Sequence, residues 1–241
     1  MTLANLAKTA VAGTTLAFVG LMGMLIGSPR SRADNNDNDS DDAKVQEGLA
    51  ISPVPLNLAG KDRDLVGLGS YIVNAQAICN DCHALFPPPP TGVSAEYTPT
   101  GNPYLLLAPA GPFSGRIQVN PATYLGGGND FGPFGPGIDI VSRNLTPDRT
   151  GQPEGGHSLS DFMTIMRTGA DLDHLHPTCS ASRTTNCLPA PLNGNVLQVM
   201  PWPIFRNMSD HELQAIYEFL SAIPCIDTVV PGQPQLRNQC H

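Results

Sequence analysis

Cysteine stands at positions 79 and 82 and histidine at 83, in the run Cys79-Asn80-Asp81-Cys82-His83. No other feature of this sequence constrains the fold as tightly. Two thiols three positions apart on one helical turn can each bond a vinyl group of one porphyrin. The adjacent imidazole is then forced under the ring, within reach of the iron. A haem held in this way becomes part of the core, and the chain must fold around it. Two other readings compete. A thioredoxin-like redox pair belongs in an α/β sheet, a pattern this sequence lacks. Half of a zinc site needs further Cys or His ligands close by, and Cys179, Cys187, Cys225 and Cys240 lie about a hundred residues on or more. There is no second Cys-x-x-Cys-His, so one covalent haem is expected, with His83 as its proximal ligand.

The N-terminus reads as an export signal. Lys8 supplies a short positive region, and residues 10–26 are apolar or small and carry no charge. Ser31-Arg32-Ala33 offers small residues where a signal peptidase needs them, placing cleavage before Asp34. An uncleaved anchor is the alternative. The apolar stretch is short and weak for the ~20 residues a span needs, and Arg30 and Arg32 would oppose the charge bias that orients anchors. Residues 1–33 are therefore expected to be a signal peptide or anchor. The protein is expected to be periplasmic or otherwise exported, and membrane-associated only if the signal stays uncleaved. Haem attachment of this type takes place outside the cytoplasm.

Residues 34–48 hold Asp34, Asp37, Asp39, Asp41 and Asp42 among Asn and Ser. Such a run buries little apolar surface and is expected to be a disordered acidic linker. A folded domain is expected over 49–224, with a short tail at 225–241. Gly and Pro number 24 each and charged residues are 14%, which suits long turn-rich loops more than a helical bundle. The formal net charge of -8 argues against nucleic acid as a partner and is compatible with a basic redox partner.

Helical patterns stand out at three places. Leu65, Leu68, Ile72 and Ala75 fall on one face of a helix expected over 63–77, which runs into Cys79. Ser158 with Asp161 starts a helix over 159–168, whose stripe is Leu159, Phe162, Met163 and Met166 and whose stop is Gly169. Ser209-Asp210-His211-Glu212 is a capping box, with Met208 and Leu213 as a hydrophobic staple. Leu213, Ile216, Tyr217 and Leu220 follow as a stripe before Pro224. Between the first two helices, residues 86–146 are crowded with Pro and Gly, from the Pro87 to Pro90 run to Gly132-Pro133-Phe134-Gly135-Pro136-Gly137. So long a stretch is expected to wrap the domain, with room for a β-hairpin around Ile138, Ile140 and Val141.

Electron-carrying haem irons often take Met as the sixth ligand. Of seven methionines, Met1, Met22 and Met24 belong to the signal, Met163 and Met166 to a core stripe, and Met208 to the staple. Met200 remains, in the apolar loop 195–203, where Pro201 and Pro203 flank Trp202. A stiff loop suits a weak thioether ligand, because little ordering entropy is lost on ligation.

Three segments resemble the class I cytochrome c domains of bacteria, found alone or as cytochrome subunits of periplasmic dehydrogenases. The first is Gly69-Ser70-Tyr71-Ile72-Val73 leading to Cys79–His83. The second is Ser142-Arg143-Asn144-Leu145-Thr146-Pro147-Asp148, with Asp161-Phe162 and Arg167-Thr168-Gly169. The third is Met200-Pro201-Trp202-Pro203 followed by 213–220. The resemblance implies a mainly α fold of cytochrome c-like helices around a covalent haem, the first and last helices crossing, with the Pro/Gly-rich stretch as an insertion. It implies Cys79 and Cys82 as thioether links, His83 and Met200 as iron ligands, and haem-edge contacts near Asn144 and Thr146. The loop 172–195 is longer than the pattern expects and carries two cysteines.

The remaining cysteines are even in number, which in an exported chain suggests two disulfides. The pairs nearest in sequence are Cys179–Cys187 and Cys225–Cys240, out of three possible pairings. His174 and His176 beside Asp171 and Asp173 read as a solvated loop in preference to a metal site. No Ser-His-Asp arrangement, phosphate loop or nucleotide fingerprint is present. The expectation is a one-electron carrier with no bond chemistry of its own, whose partners are redox proteins such as a dehydrogenase or an oxidase. A haem enzyme or gas sensor with a displaceable sixth ligand is the alternative.

Overall fold

A computed structural model describes residues 34–84, 119–135, 138–229, 232, 236 and 238–240. Residues 1–33, expected to be a signal peptide or anchor, and the polyproline run lie outside the described residues. Among the described residues, no helix is long and apolar enough to cross a membrane.

Residues 34–48, expected to be disordered, belong to helix α1 (Asp34–Ile51). The composition of the run misled because it averages over faces. Asp41 and Asp42 stay exposed, while Val45 and Gly48 on the same helix are buried. α1 packs on α2 (Arg63–Tyr71), whose N-cap Asp62 accepts from the amides of Asp64 and Leu65. The two backbones come into direct contact. A side chain at Gly48 would overlap the carbonyl oxygen of Gly67, and Ser70 Oγ donates to the Gly48 carbonyl over 2.6 Å.

On its other side α2 crosses α7 (Asp210–Leu220). A Cβ at Gly69 would overlap the Ala215 carbonyl oxygen and crowd Phe219. Being sandwiched, α2 buries Val66, Leu68 and Ser70 as well as its two glycines, not one stripe. Ala75, placed on the apolar face by spacing, is exposed. The reason is local. After Tyr71 the chain widens into a π-helical turn, Ile72–Gln76, which breaks the 3.6-residue register.

The capping box expected at Ser209 forms, and the expected N-cap Ser158 forms one as well. Ser158 and Asp161 exchange bonds at the start of α5 (Leu159–Thr168), and Ser209 and Glu212 do so at α7. α7 buries Leu213, Ile216 and Leu220, together with Ala215 and Phe219; Tyr217 is half-buried, stacked at a tilt on Phe162 with centroids 5.8 Å apart. Burying a side chain such as Leu213 or Phe219 contributes about 1.5–3 kcal/mol.

The Pro/Gly-rich stretch contains an antiparallel hairpin, β1 (Asp130–Gly135) with β2 (Ile138–Val141), irregular in register. The cysteines outside the motif pair as Cys179–Cys187 and Cys225–Cys240. The segment after 224 carries the expected Cys225–Cys240 tether and is packed on the domain as well. Leu236 is buried, Thr228 Oγ1 donates to the Gly126 carbonyl, and Asn144 Nδ2 donates to the carbonyls of Ile226 and Leu236.

Candidate functional site

Ile78, in the left-handed region at φ 50°, turns the chain out of the π-helical stretch into one helical turn, α3 (Cys79–Cys82). This turn brings both thiols to one side, with His83 as its C-cap donating its amide to the Cys79 carbonyl over 3.0 Å. Asn80 anchors the turn by accepting from the Leu125 amide at 2.9 Å. The His83 carbonyl accepts from Gly127, a glycine at φ 69° whose missing Cβ lets it lie on the Arg143 backbone.

His83 is held by its Nδ1, which lies 2.8 Å from the Arg143 carbonyl oxygen. A carbonyl can only accept, so Nδ1 carries the proton and the neutral ring keeps its lone pair on Nε2. Burial favours that neutral form, holding the His83 pKa below the usual value, with the Arg143 carbonyl opposing and its guanidinium assisting. This is the arrangement by which a histidine is oriented as a ligand through its second nitrogen. The Cys79 thiol is pushed up to about 12, chiefly by burial and then by Cys82.

Cys79, Cys82, His83 and Met200 all line one cavity of about 1130 Å³, its open mouth included. Its walls are otherwise apolar for the most part. Val73 and Ile78 come from the motif side, Phe131 and Ile140 from the hairpin, Phe162 and Met166 from α5, and Ile216 and Leu220 from α7. The hairpin, α5 and α7 thus all contribute apolar side chains to one chamber.

The loop bearing Met200 is pinned at several points. Leu197 donates to the Gly169 carbonyl, Ala170 bridges Val196, and Asp171 donates to the Asn195 carbonyl. Trp202 opens the short helix α6 (Trp202–Phe205); its indole packs on Gly169, where no side chain would fit, and Nε1 donates to the Leu197 carbonyl. Arg167 ties the end of α5 to the carbonyls of Arg206 and Met208 and to Asp210. The long loop 172–195 therefore leaves and returns at the C-terminus of α5. Closed by its own disulfide, it is an excursion beside the Met200 path, not a break in it.

Not every residue expected near the site lies there. Asn144 and Thr146 are buried away from the cavity. Asn144 Oδ1 accepts from the Thr146 amide and hydroxyl, and Asn238 Nδ2 donates to Thr146, so the pair fastens the C-terminal segment. Their neighbours Ser142, Arg143 and Leu145 line the cavity instead. Met166 and Met208, read as core and staple, line it too. Glu154 lines the cavity as well, and nothing in Gln152-Pro153-Glu154-Gly155-Gly156 beyond turn propensity marks it in the sequence. Among the described residues no group of three or more His, Cys, Asp or Glu could hold a metal ion, and His174 is exposed.

Comparison with protein-family models, with curated proteins and with solved structures finds no match to this chain.

Proposed function

We propose that the chain is an exported mono-haem electron carrier of the cytochrome c type, working free or as the cytochrome subunit of a dehydrogenase. One observation carries this reading: both motif thiols, the oriented His83 and the Pro-flanked Met200 line a single apolar cavity. The crossing of α2 and α7 at Gly69 and Ala215 supports it, as does the fit of the donor set, a neutral imidazole and a thioether.

Cys79 and Cys82 hold the porphyrin by thioether bonds, and His83 Nε2 and Met200 Sδ are the iron ligands. The bound haem supplies a one-electron couple at its iron. The protein does the rest by exclusion and orientation. Phe162, Met166, Ile216 and Leu220, which line the cavity, would keep water from the iron, and with a thioether ligand this would favour the reduced state. The Arg143 carbonyl keeps the His83 ring from rotating. The Trp202 and Arg167 contacts hold the Met200 loop closed, so little ordering entropy opposes a weak ligand.

Reductive titration of the exported protein tests this. One electron per chain, with no ready binding of carbon monoxide or cyanide in either oxidation state, is expected. An iron that takes up these ligands readily would favour the haem enzyme or sensor.

A further inference from the structure

Glu154 sits where a carboxylate is costly. It is 6% exposed, and it lines both the apolar cavity and a second, polar pocket formed by Arg143, Asn144, Asp148, Arg149, Gly155, Asp173, Asn238 and Gln239. It is thus part of the wall between the two. Its backbone is held at φ 52°, in the short segment α4 (Pro153–Gly156), a conformation that non-glycine residues adopt at some cost. Its amide reaches back to the Leu145 carbonyl.

Arg143, the cation that acts on it, makes no ion pair with it. The Arg143 guanidinium is engaged by Asp171 and Asp173, and His157 Nε2 lies 3.3 Å from Asp173. Arg143 and Asp171 act on Glu154 most directly; Asp148, Arg149 and Asp173 share the polar pocket with it, His157 stands beside Asp173, and His83 shares the apolar cavity. No ion pair or side-chain hydrogen bond holds the Glu154 carboxyl among the described residues. Burial pushes it up to about 7, with Arg143 opposing and Asp171 adding to the rise.

We propose that Glu154 binds and releases a proton in step with the electron on the cofactor iron, exchanging it with solvent through the polar pocket. The proposal rests on the haem reading above. Reduction adds one electron to the iron and one proton to the carboxylate; oxidation releases both. The sign follows from charge. Ferric iron favours the carboxylate and lowers its pKa, whereas ferrous iron favours the neutral acid and raises it. Between those two pKa values, reduction becomes harder as pH rises. The midpoint potential should fall there by up to about 59 mV per tenfold change in proton activity, and level off on either side.

The test is the midpoint potential of the haem-loaded protein across neutral pH, for wild type, Glu154→Gln and His157→Asn. The same samples are weighed under denaturing conditions. The expected result is a sloping segment in wild type and His157→Asn that Glu154→Gln lacks. Infrared difference spectroscopy of wild type gives a second readout that needs no variant. Reduction should bring up the carbonyl stretch of a protonated carboxyl, absent in Glu154→Gln. A flat wild-type profile, or a slope and infrared band that survive in Glu154→Gln, overturns the proposal; the porphyrin propionates or another acid would then carry the proton. A chain that weighs no more than its polypeptide overturns both this and the haem reading.

Discussion

His83 Nδ1 donates to the carbonyl oxygen of Arg143 over 2.8 Å, joining the histidine of the cysteine motif to the segment that leaves strand β2. The same Arg143 turns its side chain the other way, into Asp171 and Asp173 just past α5. One residue thus orients His83 with its backbone and clamps the start of the 172–195 loop with its guanidinium.

Removing that side chain leaves the nearly buried Asp171 without its cation. Arg143→Met should destabilise the protein by about 3–5 kcal/mol. Denaturant unfolding of variant and wild type checks this. A change under about 1 kcal/mol would mean that the pair is solvated like a surface bridge.

Three thioethers line the cavity, and spectroscopy separates them. Met200→Ala should abolish the weak near-red band of a Met-ligated ferric haem, lower the potential, and open the iron to cyanide. Met166→Ala should keep the band and cost about 2–5 kcal/mol of stability, because Met166 is buried. Met208→Ala should also keep it. A spectrum unchanged in Met200→Ala and altered in either of the others would move the ligand.

The helix crossing has no room for a methyl group. Gly69→Ala drives a Cβ into the Ala215 carbonyl, where neither backbone can yield cheaply. The expected loss is at the upper end of the 1–3 kcal/mol or so seen for overpacking. Gly60→Ala is the contrast. Nothing lies within 4 Å, and only its φ of 72° resists, at about 1–2 kcal/mol. Urea midpoints of the two variants rank the crossing against simple backbone strain.

Cys225 and Cys240 close the C-terminal segment over the Asn144–Thr146 corner. Replacing both by Ser should cost about 2–4 kcal/mol. Non-reducing peptide mapping of wild type should find Cys225 with Cys240 and Cys179 with Cys187. Any cross-pairing between the two sets contradicts the fold.

What was legible in the sequence was what is decided locally. The boxes at Ser158/Asp161 and Ser209/Glu212 satisfy amides within one turn of themselves, and the disulfides close short loops. The Met200 loop is marked by its own prolines. What was not legible depends on distant partners. Helix α1 exists because Gly48 meets Gly67, while its acidic composition alone reads as linker. Ala75 leaves its stripe because of a π-turn that spacing does not announce. Asn144 and Thr146 carry no local sign that their partners are Ile226, Leu236 and Asn238. Glu154 is an ordinary glutamate until the fold buries it between two pockets.

A haem bonded through Cys79 and Cys82 is tested most directly by intact mass, measured under denaturing conditions on protein recovered from the exported fraction. The expected mass is that of the polypeptide with both disulfides formed plus one haem, falling to the polypeptide alone in the Cys79→Ser, Cys82→Ser double variant. A wild-type mass without added haem would contradict it.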